Sequence, residues 1–125
     1  MLQIHPVRET ERLQPLYKMH ELVLSDDCMA VVAMDGEKMV GYCLFSLGTL
    51  DISIKALAPT DDIALADGIL RSALHVGVEN GKLNAFYEET SPVDVFKTLG
   101  FIKNVENKSL DIDKLFSSCQ SCSKK

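Results

Sequence analysis

Four cysteines, three histidines and the adjacent aspartates Asp61 and Asp62 are residues of this chain whose types could do chemistry on their own. Cys119 and Cys122 form a Cys-x-x-Cys pair in a polar stretch, SSCQSCSKK. Such a pair could bind metal or oxidise, but a zinc site needs about four ligands. No second pair supplies the other two, and His5, His20 and His75 lie far apart with no ligand spacing. No metal is therefore expected. A redox motif of the thioredoxin kind stands at a helix start after a strand, which this pair does not. Cys28 and Cys43 sit inside apolar runs, CMAVVAM and GYCLFSL, and read as small buried hydrophobes. Asp61 and Asp62 open a helical pattern, where carboxylates complement the positive end of the helix dipole and can cap it.

The whole chain sets the scale for these groups. It has 125 residues, 46% hydrophobic and 25% charged, with a net charge of -5. That suffices for one domain with a real core, expected over residues 1–116 and followed by a polar tail at 117–125. An acidic chain with scattered Lys and Arg is not built for nucleic-acid phosphates. No apolar run approaches the roughly 20 residues of a membrane span. The first residues, MLQIHPVRETER, carry no signal-peptide pattern. The expectation is a cytoplasmic protein with neither nucleic-acid nor membrane partners.

Periodicity then places the elements. Residues 2–7 alternate as a short strand, and Pro6 suggests an edge. Over residues 9–24, Leu13, Leu16, Tyr17, His20, Val23 and Leu24 share one helical face. Pro15 falls inside it, so the helix either begins near Gln14 or kinks. Strands follow at 28–34 and 39–47 around an Asp35-Gly36 turn. A further strand at 50–57 has a wetter face of Asp51, Ser53 and Lys55. Residues 61–80 form the clearest helix. Its polar stripe is Asp67, Arg71, His75 and Glu79, and its apolar face is Ile63, Ala66, Leu70, Ala73, Leu74 and Gly77. Gly81 is placed as its C-terminal cap. A strand at 83–88 comes next, then a short helix opened by Pro92 with Val93, Phe96 and Leu99 inward. A last strand at 101–112 is split by a turn at 104–108. This order predicts a mixed α/β layer architecture.

The stretch ALADGILRSALHVGVENGKLNAFYEETSPVDVFKTLGF, residues 64–101, resembles the acetyl-CoA-binding half of the GNAT N-acetyltransferase superfamily. The likeness extends from the Asp35-Gly36 hairpin to about residue 103, and the Leu99-Gly100-Phe101 ending carries it most strongly. It implies a mixed sheet whose two middle strands part beside the N-terminus of the long helix. It also implies a truncated N-terminal helical region: one helix stands where the family has two, against which the acceptor usually lies.

What the resemblance implies for function is N-acetyl transfer from acetyl-CoA, as co-substrate, to an amine on a small molecule or peptide. The family's pyrophosphate loop, Arg/Gln-x-x-Gly-x-Gly/Ala, falls on Asp61 to Ala66, with Ala64 at a glycine position and Asp61 at the basic one. The implied CoA-binding residues are Leu57, Ala58, Ala64, Leu65 and Ala66. The family's tyrosine acid, four residues before the glycine, is Phe96 here, and its asparagine is Glu89. Phe has no proton to give. Candidate catalytic groups are thus Glu88 or Glu89 as base and Tyr87 as acid. The alternative is a non-catalytic GNAT-fold binding or interaction domain.

Overall fold

Side-chain alternation along the strands divides this protein into two cores, one on each side of a single sheet. The computed structural model describes residues 2–115, so the Cys119/Cys122 pair and the tail lie outside the described residues. Strand β1 (Leu2–Val7) runs antiparallel to β2 (Cys28–Asp35), and β2 to β3 (Lys38–Leu47). The β2–β3 hairpin turns at Gly36, whose φ of 67° is the left-handed backbone that glycine adopts freely. β3 pairs antiparallel with β4 (Asp51–Ala58). From β4 the chain crosses over through the long helix and returns as β5 (Asn84–Tyr87), parallel to β4. The strands β6 (Ile102–Asn104) and β7 (Ser109–Leu110) close the sheet in the order β1-β2-β3-β4-β5-β7-β6. This is the expected mixed architecture.

One face of the sheet carries α2 (Ile63–Glu79) and α3 (Val93–Leu99). Met29, Val31, Cys43, Phe45, Ile52, Ile54 and Tyr87 of the sheet pack there with Ile69, Leu70, Leu74 and Phe96 of the helices. The other face carries α1 (Thr10–Met19), whose Leu13, Leu16 and Tyr17 meet Val7, Ala30, Val32, Leu44 and Ala56. Among the described residues no helix is long and apolar enough to cross a membrane.

Four expectations about element ends need correction. Helix α1 neither starts at Gln14 nor runs to Leu24: it begins at Thr10, keeps Pro15 inside, and stops at Met19. Glu21 takes a left-handed φ of 57° and the Leu22 N–H donates to the Tyr17 carbonyl, 2.9 Å away. That turn keeps Leu22 and Leu24 against the core while Val23 points outward at 83% exposure. In α3, Val95 and Phe96 are the buried pair, with Val93 and Leu99 only partly covered. Ile63 is exposed, because it is the first residue of α2 and lies beyond the sheet-facing turns. Leu83 is also exposed and precedes β5 rather than belonging to it.

Tyr17 ties α1 to the sheet. Its hydroxyl lies 2.7 Å from the Met29 carbonyl oxygen and 2.9 Å from that of Phe45, and shares its one proton between these facing residues of β2 and β3. Burial, with the Cys28 and Cys43 thiols nearby, pushes the Tyr17 phenol far above its ordinary range. Burial likewise raises the Cys43 thiol. The sign follows directly: the unfolded chain releases these protons near about pH 8.5–10 while the folded chain keeps them. Their contribution to stability is therefore complete below that range and declines as pH rises above it. Tyr17→Phe is expected to cost about 0.5–1.5 kcal/mol at neutral pH, the usual net worth of a hydrogen bond, by removing the hydroxyl that these two carbonyls share. It should also flatten part of the alkaline decline, measured by urea denaturation across the alkaline range. An unchanged midpoint at neutral pH would contradict the role assigned to the hydroxyl.

Candidate active site

The candidate site is the place where β4 outruns β5. Residues 51–54 of β4 pair with residues 84–87 of β5, and β5 then ends, so residues 55–58 continue without that neighbour. Lys55 is an extra residue in β4: Leu44 faces Ala56 and Phe45 faces Ile54, which leaves Lys55 unmatched as a bulge. The bulge breaks the alternation, so that Ile54 and Leu57 pack on the α2 side and Ala56 on the α1 side.

After Tyr87 the chain folds back onto this freed edge. The Glu88 N–H donates to the Ile54 carbonyl at 2.9 Å, and the Ser91 hydroxyl donates to the same oxygen at 2.7 Å. The Thr90 hydroxyl donates to the Lys55 carbonyl, also at 2.7 Å. The parting of the strands that the resemblance implies is not seen: β5 is paired with β4 over its whole length, pairing stops only because β5 ends, and Thr90 and Ser91 then take over the Lys55 and Ile54 carbonyls. At the outer end, β4 runs into a cis Ala58–Pro59 peptide and then α2. Gly41 of β3 makes room for this passage. A Cβ there would lie 2.5 Å from Ile69 Cδ1 and 2.7 Å from the Ala58 carbonyl oxygen.

The three acid–base candidates go to three different places. Tyr87 is buried on the α2 side, its ring centroid 5.4 Å from that of Phe96. Glu88 points to the strand mouth, where Lys55 Nζ donates to its Oε2 at 2.9 Å. Glu89 stands in solvent and pairs with Lys108 at 3.2 Å, an exposed contact worth little. From the sequence Lys55 belongs only to the wetter face of β4, and nothing in the spacing of Thr90 or Ser91 marks them.

The implied CoA-binding residues cluster at the other end of the same edge. Leu57 and Ala66 turn their side chains into the core, so only their backbone could meet a ligand. Ala58 and Leu65 are half-buried and Ala64 is exposed. The Asp62 carboxylate accepts the Leu65 N–H at 3.1 Å, and the Asp62 carbonyl accepts the Ala66 N–H at 2.9 Å. The protein thereby places its own anion at the helix terminus, the position where a phosphate would otherwise bind. Asp61 adds a second exposed carboxylate. This end does not fit a pyrophosphate, and residues 56–58 of β4 lie beyond the pairing with β5. Among the described residues no group of three or more His, Cys, Asp or Glu could hold a metal ion.

Phe96, which the resemblance sets at the position of an acid, is fully buried beside Tyr87, Val95 and Phe101. Phe96→Ala should cost about 3–5 kcal/mol of stability. Phe96→Tyr should cost about 1–3 kcal/mol if its hydroxyl finds no partner there. Thermal or chemical denaturation of the two variants reads both, and a wild-type midpoint for Phe96→Ala would show that α3 is not packed as described.

No protein-family model matches the sequence, and no curated protein matches it. Solved structures do. An aminoglycoside acetyltransferase from an uncultured soil metagenomic sample superposes with a TM-score of 0.60 at 16% identity, over 84% of this chain and 94% of its own. A GNAT-family acetyltransferase from Streptococcus pneumoniae gives 0.55 at 15% identity, over 81% and 87%. The PaiA N-acetyltransferase of Thermoplasma acidophilum, solved with coenzyme A, gives 0.52 at 12% identity, over 80% and 67%. At such identities the likeness is one of fold, and the fold of this chain is that of the GNAT acetyltransferases.

Proposed function

We propose that this protein, built on the GNAT acetyltransferase fold, is an N-acetyltransferase that moves an acetyl group from acetyl-CoA to an amine and holds its donor weakly. The observation that carries the reading is the β4 edge beyond Lys55, which β5 does not pair with and which leads to the N-terminus of α2. An extended thioester arm can align along residues 56–58, with backbone N–H groups near Leu57 and Ala58 to polarise its carbonyl. The acceptor amine would then attack directly, and the protein's part is to orient the pair. Glu88, at the strand mouth, is the group placed to take the amine's proton. The acceptor belongs to the amine class, as the name of the aminoglycoside enzyme suggests by analogy of fold.

A second reading, a non-catalytic binding domain, draws on two observations. Asp62 already occupies the amide that a phosphate would use, and the fully buried Phe96 stands where an acid is wanted. Calorimetric titration with acetyl-CoA separates the two. Micromolar binding with acetyl transfer to amines supports the enzyme, and silence at millimolar donor supports the binding domain.

The weak grip has its own test. Two unit charges of like sign about 4 Å apart repel by ~1 kcal/mol in water and ~4 kcal/mol near a protein surface. Changing Asp61→Arg together with Ala64→Gly removes one such charge and allows closer backbone approach. Acetyl-CoA affinity should rise roughly tenfold or more, since about 1.4 kcal/mol corresponds to a factor of ten. Unchanged or weaker binding would place the donor elsewhere.

A further inference from the structure

We propose that the Lys55 amine is itself an acceptor, so that the protein acetylates its own Lys55 at the mouth between β4 and β5. The inference rests on the acetyltransferase reading above and names one acceptor for that same site.

Three observations converge on this side chain. Lys55 is the bulge residue of β4, at the point where β5 stops pairing, and its amine meets Glu88, the residue that follows β5. Its side chain is only 17% exposed, and Nζ is held 2.9 Å from Glu88 Oε2. The Lys108–Glu89 pair next to it is much looser, with side chains 43% and 84% exposed. The backbone on both sides of Lys55 is also fixed. Its own carbonyl accepts from Thr90, and the Ile54 carbonyl accepts from Glu88 and Ser91. An amine so placed does not have to be recruited from solution, which is the larger part of the cost of a two-molecule reaction.

The step balances with the donor and this ion pair alone. The Lys55 ammonium gives one proton to Glu88, which passes it to solvent. The freed lone pair forms a bond to the thioester carbonyl carbon, and the carbon–sulfur bond breaks. The departing thiolate takes up the second proton that nitrogen loses. The products are an amide on Lys55, a free thiol and one released proton. The amide carries no charge, so Glu88 loses its cation.

The test is a time course of the full chain with acetyl-CoA, read by peptide mass spectrometry at every lysine, alongside calorimetric titration with the same donor. Lys55 should gain an acetyl group roughly tenfold or more faster than the exposed Lys18 and Lys97, which report uncatalysed acetylation. Its rate should saturate with donor. Glu88→Gln should slow it by roughly tenfold or more through loss of the base. Lys55→Arg, which retains the charge beside Glu88, should abolish the label at that peptide while keeping the fold. If acetyl-CoA binds but Lys55 reacts no faster than Lys18 and Lys97, the self-acetylation inference is overturned and the acetyltransferase reading stands. If acetyl-CoA does not bind at all, both fall.

Discussion

The structure depends on how closely α2 lies against the strands beneath it. A Cβ on Gly77 would sit 3.1 Å from Ile52 Cγ2, and one on Gly41 would sit 2.5 Å from Ile69 Cδ1. Ala66 and Ala73 are fully buried along the same face. Small residues on the helix, and one on the strand below it, let the helix axis drop onto β3 and β4. Two parallel strands need a crossover of this kind, because a tight hairpin cannot join them. The parallel pairing of β4 with β5, and therefore the place where that pairing stops, follows from the seat of α2.

That seat also decides what the helix N-terminus can offer. α2 begins only a few residues after β4 ends, so its first amide groups lie at the end of the open edge. In most settings such a terminus attracts an anion. Here the anion is internal: Asp62 holds the Leu65 N–H, as a capping side chain does. One local choice therefore stabilises the crossover and discourages a phosphate at the same position. The helix terminus at this end of the edge is therefore already satisfied.

Much of the fold was legible because local chemistry and long-range packing agree. Gly36 and Gly81 take φ values of 67° and 78°, and each ends an element where the sequence places a turn or cap. The Asp62 cap and the buried Phe96 could likewise be read from position alone. The end of α1 could not. Val23 and Leu24 satisfy a helical face, but a turn through the left-handed Glu21 sets Leu22 and Leu24 against the core and turns Val23 outward, and a non-glycine residue gives no warning of it. The Lys55–Glu88 pair was hidden for a different reason. The two residues are 33 positions apart, and only the β4–β5 register brings them together. The hydroxyls of Thr90 and Ser91 have no diagnostic spacing either, since their partners are backbone carbonyls on another strand.

The bulge at Lys55 connects these features. Without it, strict alternation after Ile54 would send Ala56 to the α2 side and Leu57 to the α1 side. With the extra residue, Leu57 returns to the α2 core and Ala56 meets α1. A small side chain at 56 suits the layer shared with Leu16 and Tyr17, and a large one at 57 suits the layer beneath α2. Packing on both faces therefore demands an unmatched residue at this point in β4. On the other edge of β4 the pairing with β5 ends at the same point, and the carbonyls of Ile54 and Lys55 find their donors in Glu88, Ser91 and Thr90. The long polar side chain of Lys55 is then left to span the gap that the missing strand pairing opens, where the Glu88 carboxylate meets it. The candidate chemistry sits where the alternation of the core has to be broken.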